Sequence, residues 1–162
     1  MARARPIPGI GPDVSFREAA ASAVEVRTGE LFAFAEGVLD TADIERVHDM
    51  RVASRRLRAV LEVFGPCFSK PDLEDALDDV KDLADDLGAR RDPDVAIAML
   101  EHVAADLARD DRPGIEHLID EFADRQAAGN DRLRRRLEEL EASGLEGRLL
   151  GLAASARAQV VR

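Results

Sequence analysis

Tryptophan and tyrosine are absent from the 162-residue sequence, and threonine occurs only twice. Their scarcity removes several of the best strand formers, which nearly excludes a sheet-based fold. A single cysteine, Cys67, cannot form an internal disulfide, and no cysteine pair exists to clamp zinc, so the chain reads as cytosolic with Cys67 simply packed. No apolar run approaches the ~20 residues of a membrane span. Residues 1–12 carry prolines and glycines where a signal peptide would have its apolar segment, so a protein without membrane contact is expected. Positive charge is also scarce. Lys plus Arg total 23 against 33 for Asp plus Glu, a net charge of −10, the opposite of the basic balance of a duplex-binding domain. All six aromatics are Phe, several of them on core stripes, which leaves little to stack single-stranded bases.

Helix formers are abundant: 18 Leu and 27 Ala make up 45 of the 162 residues. The length suits one domain that hides roughly 70% of its unfolded surface. Residues 1–12 read as a flexible Pro/Gly-rich arm and residues 13–160 as a single helical domain. A capping-box pattern, Ser15-Phe16-Arg17-Glu18, starts a first helix expected to reach about Leu39. Phe16, Ala20, Ala23, Arg27, Leu31, Phe34 and Val38 form its inward stripe, interrupted once by Arg27. Asp40 to Asp43 offer caps for a second helix that ends at Phe64 before Gly65-Pro66. A third helix is expected after Lys70-Pro71 with Asp72 as cap, and to stop at Gly88. Asp92-Pro93 then looks like a fresh cap and first-turn proline for a fourth helix carrying Val95, Met99, Val103 and Leu107. A long fifth helix follows from Ile115, with a weakened, kinked middle expected at Gly129-Asn130, and a last segment covers Leu145 to Val160. The expected architecture is an all-α antiparallel bundle of about five to six helices.

The second helix carries the chemistry. At about 100° per residue, His48, Arg51, Arg55 and Arg58 share a sector of about 80°, almost opposite the apolar face of Met50, Leu57 and Phe64, with Arg56 flanking. The row is roughly 15 Å long, too long for one phosphate. Like charges three and four residues apart repel by a few tenths of a kcal/mol per pair, so an anion is expected beside them. That anion is either intramolecular, with Glu62 on the same face, or an extended polyanionic ligand.

The run Val47-His48-Asp49-Met50-Arg51-Val52-Ala53-Ser54-Arg55-Arg56-Leu57-Arg58 resembles the signature helix of the CHAD family, the conserved histidine α-helical domain. Lys81 followed by Leu87-Gly88-Ala89-Arg90-Arg91-Asp92-Pro93-Asp94-Val95 is similar to a second block of that family, and Asp124-Arg125 to a weaker third. The resemblance implies a helical bundle that binds inorganic polyphosphate along a basic channel without catalysis. Carried over by position, the polyphosphate-binding residues would be His48, Arg51, Arg55, Arg56, Arg58, Lys81 and Arg91. His48 would act in its protonated form, which a polyanion favours. Members of the family typically hold two related halves, each with a basic helix, and this sequence contains one such block. A two-fold homodimer joining two ladders would supply the other. Association with polyphosphate granules in the cytoplasm follows from the same resemblance.

Other constellations are weaker. Asp75, Asp78, Asp79, Asp82 and Asp86 share one face of the third helix and read as a solvated acidic surface that repels polyanions from the outside. His102 and His117 sit beside acids in the common manner of helix surfaces, and no metal or other cofactor is expected. Arg27 either lines a channel or reaches past the core to water. No nucleophile elbow or phosphate-cradling glycine loop is present, so turnover is not expected. The competing reading is a helical dimerisation or scaffold module whose Arg face is ion-paired at an interface.

Overall fold

The Ser15 hydroxyl accepts the Glu18 N–H at 3.1 Å, so the capping sequence does start a helix. In the computed structural model, which describes residues 3–158, this helix is α1, Phe16–Ala33. Residues 1–2 of the arm and 159–160 of the last segment lie outside the described residues. Four more α-helices follow among the described residues: α2 (Ile44–Val63), α3 (Lys70–Asp106), α4 (Pro113–Ala142) and α5 (Leu145–Ala158). Short 3-10 turns sit at Gly65–Cys67 and Arg109–Asp111, and there is no strand among the described residues. The protein is an all-α bundle in which α1 packs on α5 and α2, and α3 packs on α2 and α4. Its core holds Val24, Leu31, Met50, Leu57, Leu61, Leu83, Leu87, Leu133 and Leu149.

Two expectations about helix boundaries are corrected. The first helix stops at Ala33, and residues 34–39 form turns. Gly37 there adopts a φ of +73°, and a Cβ on it would lie 3.2 Å from the Arg46 side chain. Arg46 in turn donates to the Glu36 carbonyl at 2.7 Å, so the turn and the start of α2 are made together. The expected third and fourth helices are one 37-residue helix, α3, which starts from Ser69 as its cap and runs through both Gly88 and Pro93. Gly88 does not take the left-handed conformation of a helix stop. Pro93 is buried and removes one amide from the ladder without ending it.

Tertiary contacts explain why α3 continues. Arg90, wholly buried on α3, forms an ion pair with buried Asp94 one turn later, directly across the proline turn. Arg90 Nε also donates to Asn130 Oδ1 at 3.1 Å, and Gln126 Nε2 donates to Asp94 Oδ1 at 2.7 Å. Asn130 Nδ2 donates onward to the Leu39 carbonyl at 2.9 Å. These bonds tie α3, α4 and the 34–39 turn together and account for the polar residues in otherwise apolar stripes.

Gly129 is where α4 passes closest to α3. A Cβ there would meet the Ala89 carbonyl oxygen and Arg90 Cα at 3.1 Å, both of them backbone atoms. The glycine expected to weaken α4 thus permits the crossing, and α4 continues through it.

Beyond this crossing the packing thins. None of residues 95–128 is buried, and Val95, Met99 and Val103 stand exposed at 52%, 68% and 39% along the outer part of α3. The core therefore lies on one side of the Arg90–Asn130 network, and a two-helix extension lies on the other.

At an exposed site, Gly129→Ala would raise helix stability by about 1 kcal/mol. Here the backbone contact should reverse the sign, with destabilisation of about 1–3 kcal/mol and a lower Tm by circular dichroism. A higher Tm would show that α3 and α4 do not need the close approach.

Candidate anion-binding site

The buried face of α2 consists of Val47, Met50, Ala53, Ser54, Leu57 and Leu61. Burying these side chains turns Arg51, Arg55 and Arg58 outward, where all three are exposed, while His48 and Arg56 are half-buried at the flanks. A cleft of about 730 Å³ lies along this row. Its α2 wall comprises His48, Arg51, Val52, Arg55, Arg56 and Arg58, while α3 contributes Ala84 and Asp85 and the N-terminal arm contributes Arg3 and Ala4.

Five of the seven sequence-predicted residues therefore meet in one place: His48, Arg51, Arg55, Arg56 and Arg58. Lys81 lies one turn before Ala84 on α3, outside the cleft lining, with its ammonium 3.3 Å from Asp78 Oδ1. Arg91 is also outside it. Its guanidinium is 17% exposed and lies 3.8 Å from Glu45 and 4.0 Å from buried Asp94. Arg3 was not singled out from the sequence, because an arginine in a Pro/Gly-rich arm carries no periodicity that would assign it to a face.

The cations of the row are not equally available. Arg58 Nε donates to Glu62 Oε1 at 2.8 Å, the intrahelical partner anticipated from spacing. The guanidinium groups of Arg51 and Arg55 have no hydrogen-bond or ion-pair partner among the described residues. The Arg51 Nε lies against Gly88, where an added Cβ would sit 3.7 Å away, so this side chain spans from α2 onto α3. Asp85 is the opposing charge in the cleft wall.

The acidic face of α3 differs from its expected solvated form. Asp86 is 1% exposed and pairs with both Arg132 and Arg136 of α4, the latter at 2.9 Å. Arg136 also lies 3.4 Å from Asp82, and Arg148 of α5 pairs with Asp79. The hydrogen bond to Asp86 holds the Arg136 guanidinium above the usual arginine range, against the opposing effect of burial. Much of this acidic face is thus a helix–helix seam. Sequence spacing alone did not reveal it, because the partners lie 46 to 69 residues downstream. No cluster of potential metal ligands is found among the described residues.

Arg27 does not line the cleft and is largely covered. Its side chain is 11% exposed, lies 2.5 Å from Glu30, and donates to the Arg5 carbonyl at 3.0 Å. His102 and His117 are exposed on the outer extension, far along the chain from the cleft residues.

The site is thus a row of guanidinium groups over an open cleft, suited to charge-assisted bonds with a multiply charged anion. Comparison with known families finds a match to the CHAD domain model over residues 22–161. No curated protein and no solved structure matches the chain.

If the cleft is an anion site, Asp85→Asn should tighten binding of tripolyphosphate at low salt. Because Asp85 is exposed, the change in stability should stay within about 0.5 kcal/mol. Calorimetric titration of the two proteins measures both the direction and the size of the change.

Proposed function

Because the chain belongs to the CHAD-domain family, which is associated with polyphosphate binding in general, we propose that it binds inorganic polyphosphate along the α2 ladder. The observation that carries this reading is the exposed pair Arg51 and Arg55, which lack anionic partners among the described residues and sit in a cleft with His48, Arg56 and Arg58. Each guanidinium presents a planar fork of donors to phosphate oxygens. A row of them roughly 15 Å long contacts successive phosphates of one chain better than it holds one small ion. Lys81 and Arg91, at the margins, add long-range attraction rather than direct contacts. The protein acts as a binder and not an enzyme, and needs no cofactor.

No helix among the described residues is long and apolar enough to cross a membrane. The polyphosphate reading puts the protein in the cytoplasm, with polyphosphate granules as its place of action.

A second reading, an interaction module, is supported by a different feature. Val95, Met99 and Val103 recur every four residues on the outer part of α3 and are left exposed. A second copy packed on this stripe would make a homodimer carrying two ladders, and polyphosphate could run from one to the other. Dimerisation on this extension is compatible with binding in the cleft.

Fluorescence titration with long-chain polyphosphate tests the first reading. Arg51→Glu/Arg55→Glu should weaken binding at least about 100-fold, and the wild-type affinity should fall steeply with salt, as counterion release requires. Equal binding by variant and wild type would remove the ladder from the site. Light scattering tests the second: a dimer mass at micromolar concentration should revert to monomer in Met99→Asp. A monomeric wild type would rule it out.

A further inference from the structure

The arm before α1 lies outside the matched segment, residues 22–161, so what it does must be argued from this chain alone. Prolines at positions 6, 8 and 12 prevent it from extending α1 backwards as helix, and it runs as a separate strap. One residue of that strap is tied at both of its backbone polar groups. The Arg5 N–H donates to Glu30 Oε1, and the Arg5 carbonyl accepts from Arg27 at 3.0 Å. Arg27 in turn donates to Glu30 Oε2 at 2.5 Å, so the three groups close on one another. Glu30 is 3% exposed, and a carboxylate that deep is costly unless every oxygen is satisfied. The arm supplies one of the two donors that satisfy it. The Arg5 guanidinium also lies over Gly29, where an added Cβ would be 3.9 Å away.

This anchorage has its effect two residues upstream, where Arg3 and Ala4 wall the basic cleft beside the α2 residues. We propose that the N-terminal arm is part of the anion site. Arg3 is a binding residue supplied from outside the signature helix, and the Arg27–Glu30 pair is the positioning device that fixes the arm across α1. The proposal rests on the polyanion reading above and extends it. A single helical face offers donors from one direction only, whereas a cation on the strap gives the same anion a second wall. The arm adds a basic wall to a cleft whose other wall, on α3, carries Ala84 and Asp85. Arg27, the polar interruption in the inward stripe of α1, acquires a reason in the same step.

Anisotropy titration of the full chain with labelled long-chain polyphosphate at several salt concentrations tests this. Arg3→Glu should weaken binding about tenfold and lower the slope of log affinity against log salt by about one, with Tm unchanged. Arg109→Glu makes the same charge change on an exposed turn remote in sequence from the cleft, and should bind like wild type. If Arg51→Glu/Arg55→Glu loses binding while Arg3→Glu behaves like Arg109→Glu, the arm is not part of the site, although the ladder is. If none of the three variants changes binding, the polyanion reading itself fails. Glu30→Gln should also weaken binding, and should have no further effect once Arg3 is Glu. Strictly multiplicative losses in the double variant would overturn the positioning role.

Discussion

The crossing of α3 and α4 at Gly129 is the contact on which the rest of the arrangement depends. With no side chain at that position, α4 lies directly against the Ala89 carbonyl and Arg90 Cα. That distance lets Asn130 and Gln126 reach Arg90 and Asp94, which are both buried. A buried ion pair is less costly the more of its remaining hydrogen-bonding capacity is met, and the α4 amides meet that of Arg90 Nε and Asp94 Oδ1 while Arg90 Nη2 and Asp94 Oδ2 have no hydrogen-bond partner among the described residues. The same contact sets the antiparallel register. Pairs across the seam, Arg90 with Asn130, Asp94 with Gln126 and Asp86 with Arg136, advance together along the two helices. Through Asn130 the register also reaches the Leu39 carbonyl, and so the turn that delivers the chain into α2.

Register in turn separates the charges. With α4 held at this phase, Arg132 and Arg136 face Asp86 and Asp82, and Arg148 of α5 takes Asp79. Three carboxylates of α3, those of Asp79, Asp82 and Asp86, are therefore engaged by α4 and α5. A slip of one helical position between α3 and α4 would rotate these arginines by about 100° and free the acids to act on whatever lay nearby. The basic cleft is thus partly a product of a helix seam to which it contributes no residue.

Features governed by local rules could be read from the sequence. The Ser15 cap, the break at Gly65-Pro66 and the one-sided row from His48 to Arg58 depend on residues within a few positions of one another, and the structure contains all three. The exceptions share one cause. Gly88 and Asp92-Pro93 have the form of a helix stop and restart, but Arg90 and Asp94 pair across the proline turn, and Arg90 donates to Asn130 while Asp94 accepts from Gln126, residues 40 and 32 positions away. A local cost was outweighed by tertiary bonds that no short window contains. Arg3 was missed for the same reason: its place at the cleft is set by Glu30 and Arg27, through a strap with no periodicity to read. The CHAD signature could be recognised because it lies mostly on one helix, whereas the walls around that helix come from elsewhere in the chain.

A net charge of −10 is a poor starting point for holding a polyanion. Screening limits the force of that objection, since exposed charges more than about 8–10 Å apart interact weakly at physiological salt. What an approaching phosphate meets is therefore the local set of charges, and in the cleft several arginines stand against Asp85. The acidity of the chain in fact makes the ladder more informative. A protein with 33 carboxylates has ample means to neutralise an exposed arginine, and it does so for Arg58, Arg132, Arg134 and Arg157, though not for Arg109, Arg125 or Arg135 among the described residues. Arg51 and Arg55, one turn apart at the centre of the row, receive no such partner among the described residues. Their mutual repulsion costs a few tenths of a kcal/mol in the free protein and becomes favourable once a phosphate chain lies between them. What sets Arg51 and Arg55 apart from the other unpaired arginines is their place one turn apart in a cleft shared with His48, Arg56 and Arg58, where one multiply charged anion can reach them together.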